Sequence, residues 1–371
     1  MKKKVTYIIS NIHKALAFEW IAQELDKNRF ELSFILMNEG PSTLETELEK
    51  LGVRVHRIKY AGSRDMPLAF MKLLGALLKN RPDMVHVHLF DAGLLGLTAA
   101  YALRIKKRIY TRHNAIYHID DYPHMVKYDR YINAISTHIV AISDSVKKVM
   151  VDMEGANPDK ITSIPHGFKL EAFEQPDKHR VEAMKMTYQT VGKHPVIGVV
   201  SRYTRWKGVH FIIEAFQELL KTHPNAYLVL ANANGDYRQP IQQLLKRLPP
   251  DSFVEIPFEE DLYSLYQLFD IYVHVPIKPQ AEAFGQTYVE ALAAGIPSVV
   301  TLSGIACEFI KDQENAVVVN YEETVAIHKG ILSLLDDKKL RDSIIKNGHE
   351  DVKKYFGLNK MITSLENLYE C

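Results

Sequence analysis

The sequence predicts an α/β protein of two domains, each a parallel β-sheet with helices between its strands. Three observations carry this. Short apolar, β-branched runs alternate with longer helical patterns along the whole chain, which is how βαβ units read. The 371 residues exceed one ordinary core and suit about two domains of roughly 150–200 residues. The strand–helix rhythm also fades in a polar stretch around 174–193 and restarts at Val196.

Taken in order, the first half predicts strands at Val5–Ile9, Leu32–Met37, Val53–Ile58, Met84–His88, Arg108–Thr111, Ile139–Ile142 and Ile161–Ile164. Helical patterns fill the gaps at 15–27, 67–80, 93–103 and 143–153, with Pro67 in a first turn and Ser143 and Asp144 as helix caps. The linker is expected around 174–193. Beyond it come strands at Val196–Ser201, Tyr227–Ala231, Phe253–Ile256, Ile271–Val275, Ser298–Thr301 and Ala316–Val319, a helix over about 208–221, and a helical tail from Glu322 to the end.

Composition excludes several classes. Nearly half the residues are hydrophobic and a quarter are charged, so the chain buries a core and is not disordered. Two cysteines, Cys307 and Cys371, build neither a disulfide framework nor a thiolate metal site, which fits a reducing compartment. The apolar run after Lys2–Lys4 ends at Ile9, too short for a signal peptide. No stretch approaches the ~18 consecutive apolar residues of a membrane span. A cytoplasmic location is expected, peripheral at the inner face of the membrane at most. The positive charge concentrates in residues 1–180, in Lys2–Lys4 and in Arg104, Lys106, Lys107 and Arg108. Two readings stand: a solvated surface, or a basic face that meets anionic lipid or an anionic acceptor. The charge is too dispersed for nucleic acid.

In parallel sheets, ligands bind beyond the carboxyl ends of the strands. With two such domains, the expected site is the crevice between them. Two segments supply chemistry there. In Glu282-Ala-Phe-Gly-Gln-Thr-Tyr-Val-Glu290, Glu282 precedes Gly285 and belongs to a loop, whereas Glu290 lies inside a helix. The amides around Phe284, Gly285, Gln286 and Thr287 then open that helix, a ready anion site. In Ser201-Arg-Tyr-Thr-Arg-Trp-Lys207-Gly208, a strand leads into a helix and places Arg202 and Lys207 in the same layer of loops, a fork and a point charge suited to a diphosphate.

Together these segments resemble the retaining glycosyltransferases of family 4, whose GT-B fold pairs two Rossmann-like domains facing each other across a cleft, with a C-terminal helix crossing back to the first domain. The resemblance extends through "DMVHVH" at 83–88, "TRHN" at 111–114, "VAISDSVKK" at 140–148, "IPHGF" at 164–168 and the terminal "YFGLNKMITSLENLYE". It implies an acceptor-binding domain over 1–180, a nucleotide-sugar-binding domain over 190–352 and a returning helix over 353–371. It further implies that Arg202 and Lys207 hold the donor's diphosphate, Glu282 the transferred sugar and Glu290 the ribose. The loop at Ser303-Gly304 would lie near the sugar and phosphates, Phe258 would contact the base through its backbone, and His113 would face the donor sugar. Two departures stand out. The family's glycine pair after the first strand is absent from Ser10-Asn-Ile-His-Lys14, and Ala283 replaces a glycine after the first glutamate.

The remaining histidines divide. His86 and His88 share one strand face, where packing is the ordinary role. His118, His124 and Asp129, together with His13 and Lys14, lie where an acceptor could bind, unranked by sequence. Some transferases hold a metal in an Asp-x-Asp motif, which this chain lacks. The expectation is therefore transfer from a UDP- or GDP-sugar without metal or cofactor, to a glycan or lipid-linked acceptor in bacterial envelope synthesis. Arg202, Lys207 and the helix N-terminus would stabilise the leaving group. The rivals are a sugar-nucleotide epimerase or phosphorylase on the same frame, a silent binding subunit, and an NAD oxidoreductase. The last is opposed by the first turn, which has no G-x-G-x-x-G.

Overall fold

The computed structural model describes residues 2–371, and the chain divides into two compact units. The first comprises the residues up to Phe168 together with Leu358–Cys371; the second is Lys169–Gly357. Both are parallel α/β sheets.

In the first unit the strands are β1 (Lys3–Ser10), β2 (Phe30–Asn38), β3 (Arg54–Lys59), β4 (Met84–His88), β5 (Lys107–Arg112), β6 (His138–Ala141) and β7 (Ile161–Ser163). They pair in the order β3-β2-β1-β4-β5-β6-β7, with Tyr7 of β1 opposite Phe34 on one side and His86 on the other. The second unit has β8 (Val196–Val200), β9 (Tyr227–Ala231), β10 (Phe253–Ile256), β11 (Ile271–His274), β12 (Ser298–Val300) and β13 (Val317–Val318), in the order β10-β9-β8-β11-β12-β13. β8, β9 and β11 are buried throughout, as strands covered on both faces must be. Each sheet reverses its strand order once, between β1 and β4 and between β8 and β11. Loops leaving those strands diverge there and open a place for a ligand.

Helices cover the sheets by their apolar faces. The helix Val209–Leu219 buries Ile212, Ile213, Phe216 and Leu219 in the second core, each such side chain worth roughly 1.5–3 kcal/mol. The last helix, Leu358–Glu370, turns Met361, Ile362, Leu365 and Tyr369 into the first unit's core. Lys3 Nζ donates to the carbonyls of Tyr369 and Glu370 at 3.1 Å each, and Lys107 Nζ donates to that of Leu368. Cations at a helix C-terminus answer its bare carbonyls and its dipole. Arg108 likewise donates to the carbonyls of Ile135 and Ile105. Lys3, Lys107 and Arg108 of the basic cluster noted in the sequence therefore serve the fold.

The structure differs from expectation in two places. The polar stretch at 174–193 is no open linker: it contains the helix Lys178–Thr187 and belongs to the second unit, whose boundary falls at Phe168. That helix buries only Val181, so its sequence carries no apolar period to read. The tail is three helices, Thr324–Asp336, Lys338–Phe356 and Leu358–Glu370. The first break comes at Asp337, whose side chain caps the second helix by accepting from Leu340 N at 3.0 Å.

Candidate functional site

The reversal point of the second sheet gathers most of the residues singled out in the sequence. β8 ends at Val200 and the chain makes a single 3-10 turn, Arg205–Lys207, before the next helix. Gly208 joins the two at φ +71°, where a Cβ would stand 2.1 Å from the Val275 carbonyl oxygen. Only glycine fits that contact, and it brings the Lys207 turn against the segment leaving β11. Ile277 N donates to Trp206 O at 3.0 Å and fastens the two.

Lys207 then reaches Glu282. Its ammonium pairs with Glu282 Oε1 and lies 4.7 Å from the centre of the Trp206 ring. His274, the last residue of β11, places Nε2 2.9 Å from the same Oε1. Burial pushes the Glu282 carboxyl up, but the Lys207 charge and the His274 hydrogen bond outweigh it and hold the group at about 2. Glu282 is thus a carboxylate at neutral pH and can only accept hydrogen bonds. Burial lowers His274, so the neutral ring donates from Nε2.

The loop carrying Glu282 is clamped to the one after β12. Glu282 N donates to Ser303 Oγ at 2.9 Å, Gly304 N to Pro279 O at 2.9 Å and Ile305 N to Phe284 O at 2.8 Å. At Gly304, φ is +57° and a Cβ would meet Phe284 O at 2.6 Å, so this close approach also requires glycine. Ala283, in contrast, is not among the residues with positive φ, so the missing family glycine leaves the turn intact.

After Gly285 the chain enters the helix Gln286–Ala293, with Gln286 exposed and Thr287 half-buried at its start. Glu290 lies inside this helix, 8% exposed, and accepts from Tyr266 Oη at 2.9 Å. Burial raises its carboxyl to about 7, the Tyr266 bond offsetting part of the effect. The two glutamates therefore differ in charge state.

Direct contacts join Lys207, Glu282, His274, Ser303, Gly304 and Phe284. Glu290 follows on the same segment. Arg202, exposed after β8, and Phe258, 75% exposed after β10, make no ion pair or side-chain hydrogen bond to that cluster among the described residues. His274 and Tyr266 belong to none of the motifs quoted from the sequence. A histidine closing an otherwise apolar central strand was the available signal.

His113 lies in the other unit, just past β5. Its Nε2 is 3.0 Å from His88 Nδ1, and its ring stacks on His166 at 5.6 Å. Burial, then the neighbouring imidazoles, hold it at about 3, so it is neutral. His86 bonds Tyr369 Oη at 2.8 Å and Thr111 Oγ1 at 2.6 Å, a structural role. Of the unranked residues, Asp129 is fully buried between Arg112 and His118, and Arg112 also bonds Glu154 at 2.7 Å. His124 is exposed. In the glycine-free first loop, Asn11 takes φ +52°, a conformation asparagine tolerates, and Asn38 bonds Ile12 at both N (3.0 Å) and O (2.7 Å).

Comparison with known proteins gives a concordant result. The family model described as Glycosyltransferase Family 4 matches residues 20–172, and that described as Glycosyl transferases group 1 matches residues 182–351. The capsular polysaccharide biosynthesis glycosyltransferase CapM of Staphylococcus aureus is 26% identical over 309 residues, 81% of this chain and 80% of that one. The alpha-monoglucosyldiacylglycerol synthase of Acholeplasma laidlawii is 26% identical over 302 residues, 75% of this chain and 72% of its own. Among solved structures, Anabaena HepE in complex with UDP and glucose shares the fold with a TM-score of 0.86 at 19% identity, each chain covered at 100%. One family model on each half of the chain, two parallel-sheet units and glycosyltransferase relatives across most of its length lead to one conclusion: the chain is a glycosyltransferase of the GT-B, family 4-like group.

Proposed function

We propose that the chain transfers a sugar from a UDP- or GDP-sugar to a glycan or lipid-linked acceptor, with retention of configuration and without a metal, in envelope polysaccharide or glycolipid synthesis at the cytoplasmic face of the membrane. The observation that carries this reading is the Lys207–Glu282–His274 cluster at the reversal point of the second sheet. An ammonium has three protons to give, so Lys207 can keep Glu282 and still reach a phosphate oxygen. Together with Arg202 and the amides opening the helix at Gln286, it stabilises the charge that grows on the departing diphosphate. Glu282, ionised, accepts from the sugar's hydroxyls, and Ser303 and Gly304 hold its loop against the segment after β12. Glu290 accepts from the ribose hydroxyls, Phe258 meets the base through its backbone, and neutral His113 offers a hydrogen bond to the donor sugar. HepE, the relative solved with UDP and glucose, and the two relatives named for capsule and glycolipid synthesis support the donor and acceptor classes.

The test is turnover of radiolabelled UDP- and GDP-sugars against lipid and glycan acceptors, with EDTA present, and product analysis by NMR for anomeric configuration. Lys207→Ala is expected to lower the rate about 10²–10³-fold. A full-rate Lys207→Ala enzyme, or activity abolished by EDTA, would overturn the assignment.

A further inference from the structure

The first unit carries a second apolar face that its core does not use. The helix Met66–Asn80 buries Ala69, Leu73 and Leu77. On its opposite side Leu68, Met71 and Leu78 are 59%, 64% and 59% exposed. With Gly75 they recur at steps of three and four residues and form one stripe along the helix. Single exposed apolar side chains are ordinary, but a helix that is apolar on both sides has a second partner to meet.

Cations border the stripe. Lys72 and Lys79 stand exposed beside Met71 and Leu78, and beyond them a groove of about 630 Å³ runs to the edge strand β3, lined there by Arg54, His56 and Arg57. Arg54 and Arg57 have Glu31 at 3.9 Å and Glu45 at 3.5 Å, while no ion pair among the described residues involves Lys72 or Lys79. Apolar side chains flanked by cations fit a surface that is apolar beneath and anionic above. A second copy of this chain would set like charges against one another. No described helix is long and apolar enough to cross a membrane, so contact with a bilayer through this helix would be superficial.

We propose that this face seats the first unit on an anionic lipid bilayer, with Leu68, Met71 and Leu78 at the acyl boundary and Lys72, Lys79 and the β3 cations among the phosphates. The proposal deepens the lipid-linked acceptor reading and rests on it, since it brings the transferase to where such an acceptor resides.

The experiment is co-sedimentation of the whole protein with vesicles of phosphatidylcholine alone and of equal parts phosphatidylcholine and phosphatidylglycerol. Binding is expected on the mixed vesicles only, falling as salt rises. Lys72→Glu/Lys79→Glu is expected to weaken it at least about 30-fold, because each cation near the surface contributes about a fivefold preference. Leu68→Glu/Met71→Glu is expected to weaken it to a similar extent, while both variants keep the thermal stabilisation by a nucleotide-sugar that reports an intact second unit. Absence of wild-type binding, equal binding to neutral vesicles, or undiminished binding by both variants overturns the proposal. So does a lipid-independent dimer that Leu68→Glu/Met71→Glu dissolves. Failure of the wild type to bind any nucleotide-sugar would count against the transferase reading and leave the vesicle result standing.

Discussion

Replacing Glu290 by glutamine should spare the second unit a loss of stability that wild type suffers as pH rises, while weakening its hold on the donor. The wild-type carboxyl is buried and held at about 7 instead of its ordinary 4.5, with Tyr266 as its hydrogen-bond donor. A raised acid binds its proton more tightly in the folded state, so stability falls as pH rises from about 4.5 through 7. Integrating that difference gives a cost of about 1 kcal/mol at pH 5 and about 3 kcal/mol at pH 8. The substituted amide carries no charge, and its carbonyl oxygen still accepts from Tyr266, so the variant escapes the pH-dependent part. Its stability relative to wild type should climb by about 2 kcal/mol between pH 5 and 8. Trp20 and Trp206 are the chain's two tryptophans, and Trp206 lies in the second unit, so a Trp20→Phe background makes urea unfolding followed by fluorescence report on that unit. Parallel wild-type and variant curves of stability against pH would refute the reasoning. The same ionisation should make wild-type donor affinity rise between pH 6 and 8, with Glu290→Gln losing tenfold or more and the pH dependence with it.

Three further outcomes follow from the geometry. Lys207→Met leaves Glu282 with His274 alone; holding the carboxyl at about 2 instead of 4.5 corresponds to about 3 kcal/mol. That stability is present above pH 4.5 and lost as pH falls toward 2, so chemical denaturation should find the variant weaker near pH 6 and closer to wild type in acid. Gly208→Ala should destabilise the second unit by about 1–3 kcal/mol or more, because the new Cβ meets the Val275 carbonyl at 2.1 Å, and urea midpoints measure it. Arg112→Met removes the cation paired with the buried carboxylates Asp129 and Glu154 and should cost about 3–5 kcal/mol at pH 8 by urea denaturation, and less in mild acid because burial already raises the Glu154 carboxyl.

The central strands were legible because parallel strands buried on both faces read as short, mostly apolar runs: Met84–His88 and Tyr227–Ala231 have the bounds expected from sequence. The helix Lys178–Thr187 was not, since a helix burying one valine leaves no period. Glu282 and Glu290 stood out as a pair, yet their unlike charge states depend on what the fold brings around them, Lys207 and His274 beside one and burial inside the helix for the other. Asn11 shows the same limit from the other side. The missing glycine was plain, but that an asparagine could adopt the left-handed conformation in its place was visible only in the backbone. The basic surplus was likewise countable, but not its division between Lys3 and Lys107, spent on the last helix, and Lys72 and Lys79, left exposed beside an apolar stripe.

The most direct test of the central claim is titration calorimetry of the whole protein with UDP-, GDP-, ADP- and CDP-sugars in EDTA, repeated with Lys207→Ala. The account predicts heat of binding with a UDP- or GDP-sugar that persists without divalent metal and vanishes in the variant. Binding that needs a divalent metal, or that is unchanged in Lys207→Ala, would contradict it.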